Sequence, residues 1–260
     1  MLIIGALETL SIKDYTGILI ASGILFFLVF LVVISETAKK YKQLKSEFRI
    51  EFKQKVFRVL LKYLAPNTEY WSDKVIDRGT LKNSKLVGTK YHKREGEDYF
   101  EGKMNGRAYE FCELKLFKSS SSNKDLAFFE GIFMKIEYPS PYKGPILLRL
   151  DSQKNSHRKT VGYKKLIECL EQMARKVIYP LNASLDGGYL YITISAPSTK
   201  NFFSVRLDQP LDEMLIWEET EQTLSVLDAG ARVTDTQLED LLEEVALYLD
   251  FVDKLTQIEA

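Results

Sequence analysis

The chain is poor in the residues from which metal centres, disulfide frameworks and nucleophilic active sites are built. It has two cysteines and two histidines in 260 residues. Cys112 and Cys169 cannot make a disulfide scaffold, and no CxxC pair occurs. Both are expected as buried free thiols in a reducing compartment. His92 and His157 lie far apart, outside HExxH or any other metal-ligand spacing, and both read as surface or loop residues. GxSxG, the P-loop and the dinucleotide fingerprint are all missing. The run Ser119–Ser122 has no glycine to let backbone approach a phosphate, so it reads as a flexible loop. Asp and Glu total 36, and nothing singles out a general acid and base among them. No catalytic residue, metal ligand or cofactor is therefore assigned. An excess of one charge is lacking too: Lys plus Arg also total 36, and the pI is about 6.8. A nucleic-acid partner is not expected.

What the chain does have is Thr16–Ser35, twenty residues without charge or proline. At a rise of about 1.5 Å per residue, such a helix spans roughly 30 Å, the bilayer's hydrocarbon core. The alternative is a secretory leader, which needs a basic start and an A-x-A-like exit. Here the preceding residues carry Glu8, Lys13 and Asp14, and the exit reads Val33-Ile34-Ser35-Glu36, so a retained anchor is expected. Residues 36–62 hold nine Lys/Arg against three Asp/Glu. By the positive-inside rule this places the C-terminal part in the cytoplasm of a single-pass inner-membrane protein. The expected organisation is a tail outside the cytoplasm over 1–15, a transmembrane helix over 16–35, a basic stalk helix over 36–66 and a soluble domain over 67–260. The apolar stretch 1–12 is too short to span and could lie in the interface.

The stalk carries Tyr41, Leu44, Phe48, Phe52, Val56, Val59, Leu60 and Tyr63 at helical spacing. It either lies on anionic lipid or a partner helix, or packs on the protein's own domain. Residues 67–95 read as a mixed polar stretch with scattered apolar anchors. From Asp98 the period becomes two, and Asn105-Gly106 marks a hairpin because a type I′ turn needs positive φ at both central residues. Tyr109, Phe111 and Glu113 fall on one face of the second strand, and Cys112, Leu114 and Leu116 on the other. Leu126–Tyr138 is a further strand, in which Gly131 marks a bulge or a close backbone approach. Ile146–Leu150 reads as a short strand and Tyr163–Ile178 as a helix. Tyr189–Ser195 is a strand whose expected partner is Phe202–Leu207. A C-terminal helix begins at a Thr234/Gln237 capping box and carries a stripe from Leu238 to Leu255. Hairpins and helices without a βαβ rhythm make the fold class α+β: a mainly antiparallel sheet or partial barrel packed with helices.

One local basic cluster stands out, with Lys154, His157, Arg158, Lys159, Lys164 and Lys165 just before and within the first turn of a helix. Its sharp reading is a site for an anion or lipid headgroup, binding through Lys154, Arg158, Lys159, Lys164 and Lys165; its plain reading is a solvated loop. Residues 208–260 hold two Lys/Arg against fifteen Asp/Glu, so this end should face away from an anionic surface or pair with basic regions. Partners expected on these grounds are the lipid bilayer and a protein meeting the stalk or the C-terminal helix.

Several short motifs carry a resemblance. Phe48–Lys53 with Tyr63–Pro66, Gly96–Gly102, Phe111–Leu114, Phe129–Phe133 and Ala174–Pro180 are similar to a bacterial membrane-associated family catalogued as domain of unknown function 3137. The similarity covers about residues 45–255. Pro139–Tyr142 stands where that family has an acidic, threonine-rich turn. The resemblance implies membrane-anchored architecture and brings no catalytic residue with it. The function expected is a membrane-tethered interaction or scaffold protein, with a sensor of a ligand or of anionic lipid as the alternative.

Overall fold

The structure, a computed structural model, describes residues 12–119, 125–139, 145–149, 163–197, 202–203, 216–220, 223–227 and 235–258. It opens with helix α1, Ile12–Leu64. Chain contacts divide the protein into two units, Met1–Ile50 and Glu51–Ala260, and α1 contributes to both.

In the first unit the apolar residues from Ile24 to Ile34 are all exposed. A helix this apolar, with no part of the run buried, is long enough to cross a membrane. Beyond it the surface turns polar, with Lys39 paired to Glu36 and Gln43 bonded to Glu47 along the helix.

The second unit is built on an open, seven-stranded antiparallel sheet. Its strands are β1 (Thr68–Trp71), β2 (Lys93–Met104), β3 (Arg107–Ser119), β4 (Asp125–Glu137), β5 (Ile146–Arg149), β6 (Leu181–Asp186) and β7 (Tyr189–Ser195). They lie in the order β1-β2-β3-β4-β7-β6-β5. Helix α2 is Arg78–Ser84, α3 Lys164–Val177 and α4 Asp235–Gln257. A separate hairpin joins β8 (Ile216–Thr220) to β9 (Thr223–Leu227). The α+β class is as expected, and among the described strands the sheet is open rather than a barrel.

The expected hairpin forms between β2 and β3, with Asn105 at φ 50° and Gly106 at φ 78°. Both faces of β3 are buried, which is why its alternation is blurred in the sequence. One face carries Tyr109 and Phe111. Phe111 stacks on Phe100 at 4.6 Å and meets Phe203 and Tyr248 of α4. Phe57 of α1 joins the same cluster, 5.3 Å from Phe100. On the opposite face Cys112, Leu114 and Leu116 pack with Ile76, Leu81, Val87 and Tyr99, under the segment that contains α2. A sheet covered on both sides reads as a nearly continuous apolar run.

The mixed polar stretch 67–95, to which no regular element is assigned from the sequence, contains β1, α2 and the start of β2. Asp77 caps α2 by accepting hydrogen bonds from the N–H groups of Gly79 and Thr80, at 2.6 and 3.0 Å. Two expectations need correction. The antiparallel neighbours of β7 are β4 and β6, not Phe202–Leu207. Phe202 and Phe203 sit in a turn and plug the aromatic core, while 204–207 lie outside the described residues. The buried stripe of α1 is also rotated from the one expected. Phe52, Val56, Phe57 and Leu61 are buried, whereas Val59 and Tyr63 are exposed. Each fully buried apolar side chain of this kind contributes roughly 1.5–3 kcal/mol of gross stabilisation. The stripe of α4 is as expected, with Leu241, Val245, Tyr248, Leu249, Val252 and Leu255 buried. Thr234, of the expected capping box, lies outside the described residues.

Gly131 is a close backbone approach. Its φ is +152°, and a Cβ there would run into the backbone carbonyl of Ile194 on β7. Gly131→Ala is expected to lower stability by about 3 kcal/mol, because backbone in a central strand cannot yield as a side chain can. Denaturant unfolding of the detergent-solubilised chain measures this, and a loss below 1 kcal/mol would contradict the reading.

Candidate functional site

Lys154, His157, Arg158 and Lys159 lie outside the described residues. Lys164 and Lys165 are exposed in the first turn of α3, and Lys164 Nζ stands 3.8 Å from Glu168 Oε1. His92 is bonded to Asp125 at an exposed position, 2.7 Å between Nε2 and Oδ1. Cys112 is buried and Cys169 half-buried, both free. Burial pushes the Cys112 thiol up to about 12, so it is no nucleophile at neutral pH. Among the described residues no group of three or more His, Cys, Asp or Glu could hold a metal ion.

The charged groups that are brought together lie where α1 crosses the sheet. Between Glu97 and Phe100, β2 carries one residue more than β3 opposite it. This bulge holds Asp98 at φ 54°, a left-handed conformation that Asp tolerates better than most residues. The Asp98 carboxylate is only 1% exposed and is held from two sides. Lys53 of α1, itself 4% exposed, donates from Nζ to Oδ2 at 2.5 Å. Tyr70 of β1 donates its hydroxyl to Oδ1 at 2.6 Å. Burial drives the carboxyl upward from its ordinary range, and Lys53 and Tyr70 oppose that drift. A lysine this deep is tolerated only because a carboxylate meets it.

A second carboxylate faces the same place. Glu113 on β3 is 5% exposed, and its register partner on β2 is Glu97. Burial, with the negative charges of Asp98 and Glu97, pushes Glu113 up to about 7; Lys115 and Lys53 pull the other way. Lys115 is itself ion-paired with Glu130 of β4. The buried ammonium of Lys53 is thus committed to Asp98, and Glu113 feels it only from a distance.

The opposite face of the sheet carries a more open polar row. The Tyr99 hydroxyl bonds Glu110 and Glu101, the latter at 2.8 Å. Lys135 reaches Glu110 at 2.8 Å, and Lys74 reaches Glu101 at 2.7 Å while lying 4.2 Å from the Trp71 and Tyr99 ring centres. These groups satisfy one another. At the end of the sheet an open groove of about 440 Å³ lies between the end of α1 and α4. Leu64, Pro66, Met104 and Leu249 line it, with Asp250 and Asp253 beside them. Asp250 is paired with Lys254 at 2.6 Å and Lys176 at 3.5 Å, so this acidic end does find basic partners.

Sequence reasoning missed Lys53 and Asp98. The available signal was a lysine next to Phe52 and on the same helical face as Val56 and Phe57, a position where a solvated cation is out of place. Comparison of the chain with protein-family models, with curated proteins and with solved structures finds no match.

Proposed function

We propose that the protein is a single-pass membrane protein whose second unit faces the cytoplasm and serves as an interaction or scaffold module. The observation that carries this is the exposed apolar stretch of α1, followed by a stem in which cations outnumber acids three to one. The partner-binding part is supported by the groove between the end of α1 and α4, the two elements from which a protein contact was expected. The proposal also places the chain with the bacterial membrane-associated family its motifs resemble. Two of those motifs, Phe111–Leu114 and Phe129–Phe133, are paired neighbours in β3 and β4. Alkaline carbonate should leave the chain in the membrane pellet, and a C-terminal reporter should be active only in the cytoplasm. A carbonate-soluble chain, or a reporter active outside, overturns the topology. Gentle detergent purification should recover a stoichiometric partner, and a lone monomer under those conditions argues against the scaffold role.

A second reading, anionic-lipid sensing, is favoured by the exposure of Lys164 and Lys165 in one helical turn. Each cation near an anionic surface contributes about 1 kcal/mol. Lys164→Glu with Lys165→Glu is then expected to weaken binding of residues 36–260 to phosphatidylserine vesicles at least tenfold in a flotation assay at low salt. Equal flotation of the variant and the parent removes this reading.

A further inference from the structure

Among the described residues, Asp98 is paired and Glu113, buried in the same cluster, is engaged in no ion pair or hydrogen bond. On α1 the only buried cation among the described residues is Lys53, and its 2.5 Å bond goes to Asp98. On β1, Tyr70 spends its hydroxyl on Asp98. On β2, Glu97 and Asp98 both bear on Glu113 with like charge. On β3 itself, Lys115 is turned to Glu130 of β4. From α4, Tyr248 faces Glu113, and Glu244 accepts the N–H of Phe203 at 2.8 Å. Ionised, Glu113 would be a second anion beside one buried ammonium already engaged. Protonated, it is neutral at an apolar helix–sheet junction.

We propose that Glu113 is a proton latch for the α1 stem: protonated, it lets the stem seat on the sheet, and ionised, it loosens that seat. The lever is Lys53. When Glu113 loses its proton, two carboxylates compete for the same ammonium, and the mismatch is relieved by opening the stem to water. The device depends only on groups of the second unit, so it stands apart from the membrane reading and can fail without it.

The direction follows from linkage. A solvated Glu ionises near pH 4.3, whereas the seated one ionises near 7. Below about pH 4 both states hold the proton and the seat has its full strength. As pH rises towards 7 only the open state releases the proton, so the seat weakens; above about pH 8 it weakens no further. Between pH 6 and 8 the opening equilibrium is expected to rise about tenfold.

Amide hydrogen exchange on the full chain in detergent, corrected for intrinsic exchange rates, reads this directly. Protection over residues 51–64 should fall about tenfold from pH 6 to pH 8, while β6 and β7 keep theirs. Glu113→Gln should abolish the fall and keep protection above the wild-type pH 6 value throughout. A wild-type profile flat across this range overturns the proposal without recourse to any variant. An equal fall in β6 and β7, or the same fall in Glu113→Gln, also overturns it. Should the glutamine variant not fold, Glu113→Met tests the same loss of charge.

Discussion

Replacing Lys53 by methionine should cost the second unit about 3–5 kcal/mol of stability near pH 8. The aliphatic stem of Lys53 is buried, and methionine keeps most of its volume. What goes is the ammonium, leaving the Asp98 carboxylate almost wholly buried with only the Tyr70 hydroxyl. The loss should be smaller at pH 5.5. Without Lys53 the buried Asp98 carboxyl would ionise well above its solvated value near 3.9. The folded state would therefore hold its proton while the unfolded state releases it, and the penalty would grow as pH rises. The double variant Lys53→Met/Asp98→Asn should recover most of the loss. It removes both charges, asparagine tolerates the positive φ at 98, and its side-chain oxygen still accepts from Tyr70. Denaturant unfolding of the four proteins at both pH values closes the cycle. If the single variant stays within 1 kcal/mol of wild type at pH 8, the pair does not hold the stem.

This pair shows what the sequence could and could not reveal. The Asn105-Gly106 hairpin was legible because its backbone demands positive φ at two successive residues, and few residues supply it. The tight fit at Gly131 was legible for the same kind of reason. The apolar run of α1 and the stripe of α4 were legible because each is long enough for composition or period to dominate. β1 and β6 were not. They have four and six residues, and β6, Leu-Asn-Ala-Ser-Leu-Asp, is polar and small with no alternation. Ser184 is buried there because its hydroxyl donates to the Ser84 carbonyl at the end of α2, a contact a hundred residues away in the chain. The charged junction was hidden for a related reason. A lysine in a basic stem reads as solvated, and the bulge that turns Asp98 towards it depends on register with β3, which no local pattern encodes.

The other large effect belongs to the first half of α1. Leu25→Arg with Val29→Arg should abolish stable membrane integration. Both residues lie near the middle of the uncharged run and on the same side of the helix, and both are exposed. An arginine at the centre of a spanning helix costs about 2.5–3.5 kcal/mol on the insertion scale, so two cost about 6 kcal/mol, roughly a ten-thousandfold shift away from the inserted state. The expected readout is transfer of the chain from the carbonate-resistant pellet to the supernatant. The stability of the second unit should change by less than about 0.5 kcal/mol, since the altered side chains belong to the other unit and nothing covers them. The two measurements separate three readings of the apolar run. An anchor loses integration and keeps the stability of the second unit. A helix that packs into a soluble fold would keep its distribution and lose stability. A cleaved leader would leave a mature chain lacking the run, which intact mass and N-terminal sequencing of the wild-type protein detect. Only the first outcome, with residues 16–35 retained in the mature chain, agrees with an anchor that leads directly into the Lys53 stem.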